Sequence, residues 1–140
     1  MLGYETMLGQ HYHAVLQQYP DLQRVAVDDS ITCSEQDYYL SDAQGTLQYS
    51  LDEQGCTSAL FVYFDQGAPV VFSVHAQTSI ASLIARFGQP IAKGRGRQSA
   101  LFGHSSGWVK FAFEGLFIHL EFEASRPLIK MMTLMQKNIG

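Results

Sequence analysis

Residues 108–123 read WVKFAFEGLFIHLEFE and predict two antiparallel strands joined by a tight turn. The first six residues form an apolar, aromatic run, and Glu114-Gly115 is typical of a two-residue hairpin turn. Beyond the turn the chain has the period-two pattern of a half-buried strand, in which apolar residues alternate with Phe117, His119, Glu121 and Glu123. A turn at Ser125-Arg126-Pro127 then precedes an apolar run over 128–135, so this region predicts a three-stranded meander.

An amphipathic helix precedes this meander. Apolar residues recur there at i, i+3, i+4 and i+7, as Ile80, Leu83, Ile84 and Phe87. Thr78 or Ser79 can cap the first turn, and Gly88 predicts a left-handed C-terminal cap before Pro90.

The first half of the chain follows the same plan. A helical apolar stripe ends before Pro20 and consists of Tyr12, Val15, Leu16 and Tyr19. Strand patterns follow at 38–40, 47–51 and 59–64, with turns at 42–45 and 52–55. The two stripes are 68 residues apart, and Gly45 corresponds to Gly115 at an offset of 70. The apolar segment 70–74 predicts an additional strand that joins the halves.

We therefore predict an α+β fold in one domain, residues 1–140, made of two helix-plus-three-stranded-antiparallel-meander repeats. The first, acidic repeat spans residues 8–66 and the second, basic repeat spans 78–136, with both helices on one face of the sheet. A unit of about 70 residues is marginal on its own core, so the meanders should join or face each other. Chance recurrence of this pattern in a small α+β protein is the alternative to duplication.

Composition excludes several classes of protein. The chain of 140 residues is 46% hydrophobic and 16% charged, which excludes a disordered or coiled-coil protein. No apolar run approaches the roughly 18 residues of a membrane span, and the first five residues lack the basic and apolar regions of a secretory signal. Cys33 and Cys56 form no CxxC motif, so we expect buried thiols and a cytoplasmic location.

Charge is divided unevenly along the chain, although the formal net charge is only −4. Residues 1–66 hold ten acidic side chains and one basic one, a net charge of −9, whereas residues 67–140 hold three acidic and eight basic ones, a net charge of +5. An acidic surface attracts basic proteins and repels nucleic acid. We expect a protein partner, no nucleic acid and no membrane, with attraction between the two halves as the alternative meaning of the charge pattern.

No motif in the sequence predicts catalysis, a cofactor or a metal site. Lys93-Gly94-Arg95-Gly96-Arg97 follows a helix and lacks the third glycine of a dinucleotide fingerprint, so we interpret it as a solvated loop. The histidines lack metal-ligand spacing, since His11 and His13 point to different faces of a helix. His119 and Glu121 share one side of a strand and could support acid–base chemistry, although a solvated strand face is the simpler interpretation.

Part of this plan resembles small bacterial immunity proteins, which neutralise polymorphic toxins delivered by contact-dependent or type VI secretion. The resemblance is carried by the Gly115 hairpin and by three flanking segments, Leu83-Ile84-Ala85-Arg86-Phe87-Gly88-Gln89-Pro90, Gly107-Trp108 and Met132-Thr133-Leu134-Met135. The tandem plan is also similar to protein inhibitors of the β-lactamase-inhibitor kind. The resemblance covers residues 78–135, and more loosely 8–65; it implies a class of function and carries over no binding residue.

We predict a non-enzymatic binding protein, an immunity protein whose acidic surface occludes the basic cleft of a toxin. Acidic side chains would take the places of phosphates, and tyrosines would anchor the complex. The expected surface comprises Asp28, Asp29, Glu35, Asp37, Tyr38, Tyr39, Asp42, Tyr49, Asp52 and Glu53. We expect a monomer or small homo-oligomer without cofactors. The alternative is a small-molecule or peptide-binding domain, or a weak enzyme, with a pocket between sheet and helices.

Overall fold

The computed structural model describes residues 3–27, 34–95, 98–99, 103–123 and 126–137. Within these ranges there are two α-helices, α1 (Tyr12–Gln18) and α2 (Ile80–Phe87), and three short 3-10 helices, Tyr4–Met7, Glu35–Asp37 and Phe64–Gln66. The strands are β1 (Gln23–Ala26), β2 (Tyr38–Ser41), β3 (Leu47–Leu51), β4 (Thr57–Tyr63), β5 (Ala92–Arg95), β6 (Gln98–Ser99), β7 (Gly103–Phe113), β8 (Leu116–Glu123) and β9 (Ile129–Gln136). None of the described helices combines the length and the apolar character needed to span a membrane.

One antiparallel sheet runs through the whole molecule. Eight strands follow the order β1-β2-β3-β4-β9-β8-β7-β5, and β6 pairs with β7 further along the same edge. The strands of the first half therefore occupy one side of the sheet and those of the second half the other. The halves meet at the β4–β9 pair, where Val62 lies opposite Met132. The fold is α+β with an antiparallel sheet, as predicted.

The core lies between one face of this sheet and the two helices. That face contributes fully buried residues from both halves, including Leu60 and Phe111. Val15 of α1 and Leu83 of α2 join the same apolar cluster, and the ring of Phe87 lies 5.6 Å from that of Phe111. The apolar sides of both helices are therefore buried against the same face.

The ends of α2 follow from its flanking residues. The Ser79 hydroxyl accepts a hydrogen bond from the Ser82 backbone N–H and caps the first turn, as expected. Gly88 ends the helix at φ 87° and ψ −169°. Its φ is positive, but it does not adopt the left-handed helical conformation that the sequence predicts, because the chain leaves the helix in an extended direction. Ile80 is 43% exposed and contributes little to the core.

The structure differs from the predicted meanders in two places. β1 adds a strand to the first half, and β5 and the two-residue β6 add two to the second; all three are short and lack an alternating apolar pattern. The segment 70–74 was predicted as a strand, and this was wrong: it forms a tight turn in which Val71 pairs with Val74. Phe72 and Ser73 have positive φ values of 55° and 61°. A tertiary contact overrides the local β-propensity, since the ring of Phe72 stacks on that of Phe87 at 5.7 Å.

Candidate functional site

The predicted acidic residues do not form one surface. Asp42 precedes β3 and Asp52 follows it, so the five residues of that strand, about 16 Å, separate them. Glu35 and Asp37 belong to the 3-10 helix before β2, at the same end of the sheet as Asp52. Glu53 follows β3 beside Asp52, and the other two members, Asp28 and Asp29, lie outside the described residues.

Two of these carboxylates build turns. Asp42 accepts hydrogen bonds from the backbone N–H groups of Thr46 and Leu47, at 2.7 and 3.1 Å. Asp52 accepts one from the N–H of Cys56 at 2.9 Å, next to a thiol that is free and half-buried. Acceptance of local N–H groups is the ordinary structural role of aspartate in turns.

The other acidic residues of the predicted surface also have local roles, with one exception. Glu35 pairs with Arg24 at 2.5 Å, and Asp37 completes a capping box with Ser34. Glu53 is exposed in the turn after β3. Four of the five described acidic residues of the predicted surface are therefore tied to turns, a helix cap or an ion pair, which weakens the idea of an acidic contact surface.

The three predicted tyrosines lie in three different environments. Tyr49 is fully buried and its hydroxyl donates a hydrogen bond to the carbonyl oxygen of Tyr4 at 2.5 Å. Its expected place at a binding surface was wrong, because a buried ring cannot touch a partner. Tyr38 lies on the helix side of the sheet, 3.7 Å beneath the guanidinium of Arg24. Tyr39 lies on the opposite side.

The face of the sheet opposite the helices carries a second set of apolar side chains. Phe61 and Tyr63 of β4 point to this side because they alternate with the buried Leu60 and Val62. We call this surface the open face; its large apolar members, all partly exposed, are Tyr39, Phe61, Tyr63, Trp108, Phe117, Met131 and Met135. Its polar members are Gln48, Ser50, Lys110, His119, Glu121 and Thr133. None of these residues belongs to the apolar cluster beneath the helices.

Strand pairing arranges the open face in rows that cross the boundary between the two halves. One row contains Tyr63, Met131, Glu121 and Trp108. The next row contains Gln48, Phe61, Thr133, His119 and Lys110. Aromatic and methionine side chains from β4, β7, β8 and β9 therefore lie side by side, although they are far apart in the sequence.

Trp108 is held in place from two directions. Its ring stacks on that of His119 with centroids 5.2 Å apart and an interplanar angle of 25°. Gly94 of β5 pairs with Trp108, and a Cβ atom on Gly94 would lie 2.1 Å from the indole Nε1. The indole ring thus packs directly on the backbone of Gly94, which has no side chain. Lys93-Gly94-Arg95, predicted as a solvated loop, is an edge strand in which glycine makes room for tryptophan.

The open face carries little charge. Its ordinarily charged members are Lys110, Glu121 and, at the end of β8, Glu123, which pairs with Arg126. The Lys110 ammonium lies 4.4 Å from the centre of the Phe117 ring. Burial raises the pKa of the Tyr63 phenol, and the negative charges of Asp65 and Glu121 raise it further. The phenol therefore stays neutral around pH 7 and can donate a hydrogen bond.

His119 and Glu121 lie two residues apart on the open face of β8. His119 lies opposite Lys110 and Thr133, and Glu121 lies opposite the apolar Trp108 and Met131. The pair shares one face, as expected, but it stands on the sheet surface rather than in a concave pocket. In the described part of the chain, no group of three or more His, Cys, Asp or Glu residues is placed to hold a metal ion.

The layer between sheet and helices, which the alternative interpretation needs as a pocket, is filled with side chains. Tyr49, Phe111 and Leu120 are fully buried there. A cleft of about 580 Å³ lies instead at one end of the first half, between Tyr19 and the β2–β3 turn.

Comparison with protein-family models, curated proteins and solved structures gave no match for this chain.

Sequence reasoning missed the open face, although the sequence holds a signal for it. β4 reads TSALFVY and β9 reads IKMMTLMQ, with apolar residues at adjacent positions instead of alternate ones. Such strands are apolar on both faces. Because both helices pack on one face of the sheet, the apolar side chains of the other face must contact either a partner or solvent.

Proposed function

We propose that this protein binds another protein through the open face and inhibits it by occlusion. The observation that carries the proposal is the band of seven large, partly exposed apolar side chains on the side of the sheet away from the helices. Contiguous apolar patches of this kind typically mark protein–protein interfaces. The class of inhibitor that the sequence resembles, an immunity protein that neutralises a bacterial toxin, is the form of this function that we favour.

The size of the open face suits one folded partner. Seven spacings between eight strands give about 34 Å of width, and the four central strands, of five to eight residues, give about 16–26 Å of length. The resulting area of roughly 700 Å² is close to the 800 Å² or so that each partner buries in a standard interface. A small molecule would leave most of such a surface uncovered.

The composition of the open face also favours a protein partner. Tryptophan and tyrosine are the residues that most often dominate binding energy in interfaces, and methionine adapts to irregular surfaces. Trp108 is fixed between Gly94 and His119 before any partner arrives. Such pre-organisation reduces the entropy lost on binding.

The acidic first half favours a basic partner through long-range attraction, whereas the sequence predicts direct contact between its carboxylates and the partner. Its described carboxylates lie outside the strands, in turns and 3-10 helices, while the open face itself carries few charges. We propose that the net charge of −9 over residues 1–66 steers a basic toxin domain towards the protein, and that the apolar band then supplies affinity.

We also propose that the two halves are copies of one unit. Each half consists of a helix followed by four strands of the long sheet path. Val62 and Met132, which are 70 residues apart, lie opposite each other at the centre, as a two-fold axis between equivalent units requires. Gly45 and Gly115 have φ values of 72° and 83° and occupy the β2–β3 and β7–β8 turns.

The test is co-expression with candidate toxin C-terminal domains, followed by calorimetry on the purified pair. Phe61→Thr and Phe117→Thr remove one aromatic ring from each half of the open face while keeping a side chain that favours strands. If either ring is an interface hot spot, its loss should weaken binding about 30-fold, which corresponds to about 2 kcal/mol.

The matched control is Val70→Thr, which changes a side chain that is 59% exposed and lies outside the open face. It should leave the affinity within about twofold, as surface substitutions away from an interface usually do. Circular dichroism melts would confirm that all three variants fold. Folded open-face variants that inhibit the toxin as well as the control would show that another surface makes the contact.

A further inference from the structure

A cleft of about 580 Å³ opens on the helix side of the sheet, away from the open face. Its walls come from the 3-10 helix at Tyr4–Met7, the residues that follow α1 and the turn between β2 and β3. This volume is within the range of ordinary ligand sites. Nothing in the proposed function uses this cleft.

The walls combine aromatic rings with negative charge. The rings of Tyr4 and Tyr19 stack with centroids 4.3 Å apart and an interplanar angle of 16°. Asp21 and Asp42 line the same space, and no Lys, Arg or His residue is among the described lining residues. Burial raises the pKa of the Tyr4 phenol, and the charges of Asp42 and Asp21 raise it further. Both carboxylates are therefore close enough to Tyr4 to act on its phenol.

The two carboxylates differ in how they are held. Asp42 is fixed by the N–H groups of Thr46 and Leu47, so it adds a negative charge at a constant position. Asp21 is exposed at the rim, and its side chain makes no hydrogen bond or ion pair within the described part of the structure. The cleft therefore has a fixed negative charge, Asp42, in its wall and an exposed carboxylate, Asp21, at its opening. This arrangement suits a positively charged ligand.

We infer that this cleft binds a guanidinium or alkylammonium group, and that its occupant is an arginine side chain of a protein partner. A cation over an aromatic face gains an attraction that grows as water is excluded. Arginine fits better than lysine, since its planar group can stack on a tyrosine and present two N–H donors to one carboxylate. The strongly acidic first half favours a basic segment as its source.

The test is an NMR titration of the ¹⁵N-labelled full chain with N-acetyl-arginine amide. N-acetyl-citrulline amide is the matched probe, because it has nearly the same shape without the charge. Arginine amide should give saturable shifts at the backbone amides of Tyr4, Asp21 and Gln44, which line the cleft, and citrulline amide should bind at least tenfold more weakly. Equal binding of the two probes, or no shifts in the cleft, would overturn the inference.

Variants separate the cleft from general attraction to an acidic protein. Asp21→Asn and Tyr4→Leu should each weaken arginine binding at least threefold; the latter keeps the backbone carbonyl that Tyr49 uses. Glu53→Gln removes an exposed charge at the other end of β3 and should have no effect. An equal loss in Glu53→Gln would assign the binding to long-range charge and refute a site.

A final comparison distinguishes the two sources of the cation. An acetylated Ala-Arg-Ala peptide should bind at least as tightly as arginine amide if a protein segment is the occupant. Spermidine binding more tightly than the peptide would indicate that the cleft binds free polyamines. That result would overturn the inference that its occupant is an arginine of a protein partner. All these measurements use the isolated chain, so they are independent of the open face and of any toxin.

Discussion

Tyr49 places a hydroxyl group in the middle of the core. The ring is fully buried, and its hydroxyl reaches the carbonyl oxygen of Tyr4 across 45 positions of sequence. Burial raises the pKa of this phenol far above its ordinary value of 10.0, and the neighbouring Tyr19 and Tyr4 add to the shift. The folded state therefore holds the neutral phenol, whereas the unfolded chain can ionise it.

This difference makes stability depend on pH in the alkaline range. Because the folded pKa is raised, the contribution is complete below the unfolded pKa of about 10 and is lost as the pH rises through and beyond it. Tyr49→Phe should cost about 1 kcal/mol at neutral pH through the lost hydrogen bond, yet lose stability less steeply between pH 9.5 and 11 or so.

Thermal melts at a series of pH values would measure this effect. Tyr39→Phe changes a partly exposed tyrosine and should follow the slope of the unmodified protein. A Tyr49→Phe variant with that same slope would show that Tyr49 does not govern the alkaline transition.

Gly94 and Trp108 should behave as a coupled pair. Gly94→Ala places a methyl group where the indole lies, so the ring must leave its present position and its stack with His119 is disturbed. We expect a red shift in the emission of the single tryptophan and a stability loss of about 1–3 kcal/mol from overpacking.

A double-mutant cycle measured by urea unfolding tests this coupling. In a Trp108→Ala background, Gly94→Ala should cost nothing further, because the methyl group then meets no indole. Additive losses in the cycle would contradict the contact.

At the scale of elements, the turn over Val71–Val74 stores backbone strain. Phe72 and Ser73 both have positive φ, which costs roughly 1–2 kcal/mol for a residue with a side chain. Phe72 is held there by its stack on Phe87 and by the guanidinium of Arg86, 4.4 Å above its ring. Ser73 is exposed, and its own contacts do not explain the conformation.

Relief of the strain at Ser73 should stabilise the protein. Ser73→Gly is expected to add about 1 kcal/mol and to raise Tm by roughly 3 °C. Ala81→Gly, at an exposed position of α2, is the opposite control and should lower stability by about 1 kcal/mol. Differential scanning calorimetry would measure both, and a lower Tm for Ser73→Gly would rule out strain at this residue.

The elements also show which parts of the fold follow from local sequence. The β7–β8 hairpin is predictable because Glu114-Gly115 and the alternation after it act within a few residues, and Glu114 indeed has a positive φ of 48°. β1 and β5 are not predictable from local sequence. Edge strands such as β1, with the sequence QRVA, form only by pairing with a neighbouring strand and lack an alternating apolar pattern. The turn at 71–74 is not predictable either, because ring packing from α2 determines it.

The candidate site was harder to predict than the fold. Carboxylates such as Asp42 and Asp52 look available in a sequence, but local N–H groups bind them in the structure. The open face depends on strand order, because Phe61 and Phe117 come onto one continuous face only through the β4–β9 and β8–β9 pairings. Adjacent apolar residues in β4 and β9 indicate two apolar faces, but they do not reveal which one the helices leave uncovered.

For the whole molecule, charge separation should govern how fast a partner arrives. A net charge of −9 in one half and +5 in the other gives the protein a strong dipole. The association rate with a basic partner should fall about tenfold or more as salt rises from about 20 to 300 mM, while the dissociation rate changes little. Stopped-flow measurements of Trp108 fluorescence would follow both rates.

Single charge changes sharpen this prediction. Glu53→Gln should slow association modestly, and Lys93→Gln should speed it, since both residues are exposed and have opposite charges. An association rate that does not respond to salt or to either change would remove electrostatic steering from the proposed function and leave the apolar open face to act alone.

The β4–β9 pairing has a consequence for folding. The hairpins on either side close short loops, whereas Val62 and Met132 must meet across 70 residues, and such distant contacts form slowly. Until they meet, β4 and β9 each offer an unpaired edge. The β4 of one molecule can then accept the β9 of another with the same register, so concentrated refolding should yield an exchanged dimer in which each complete sheet is assembled from two chains.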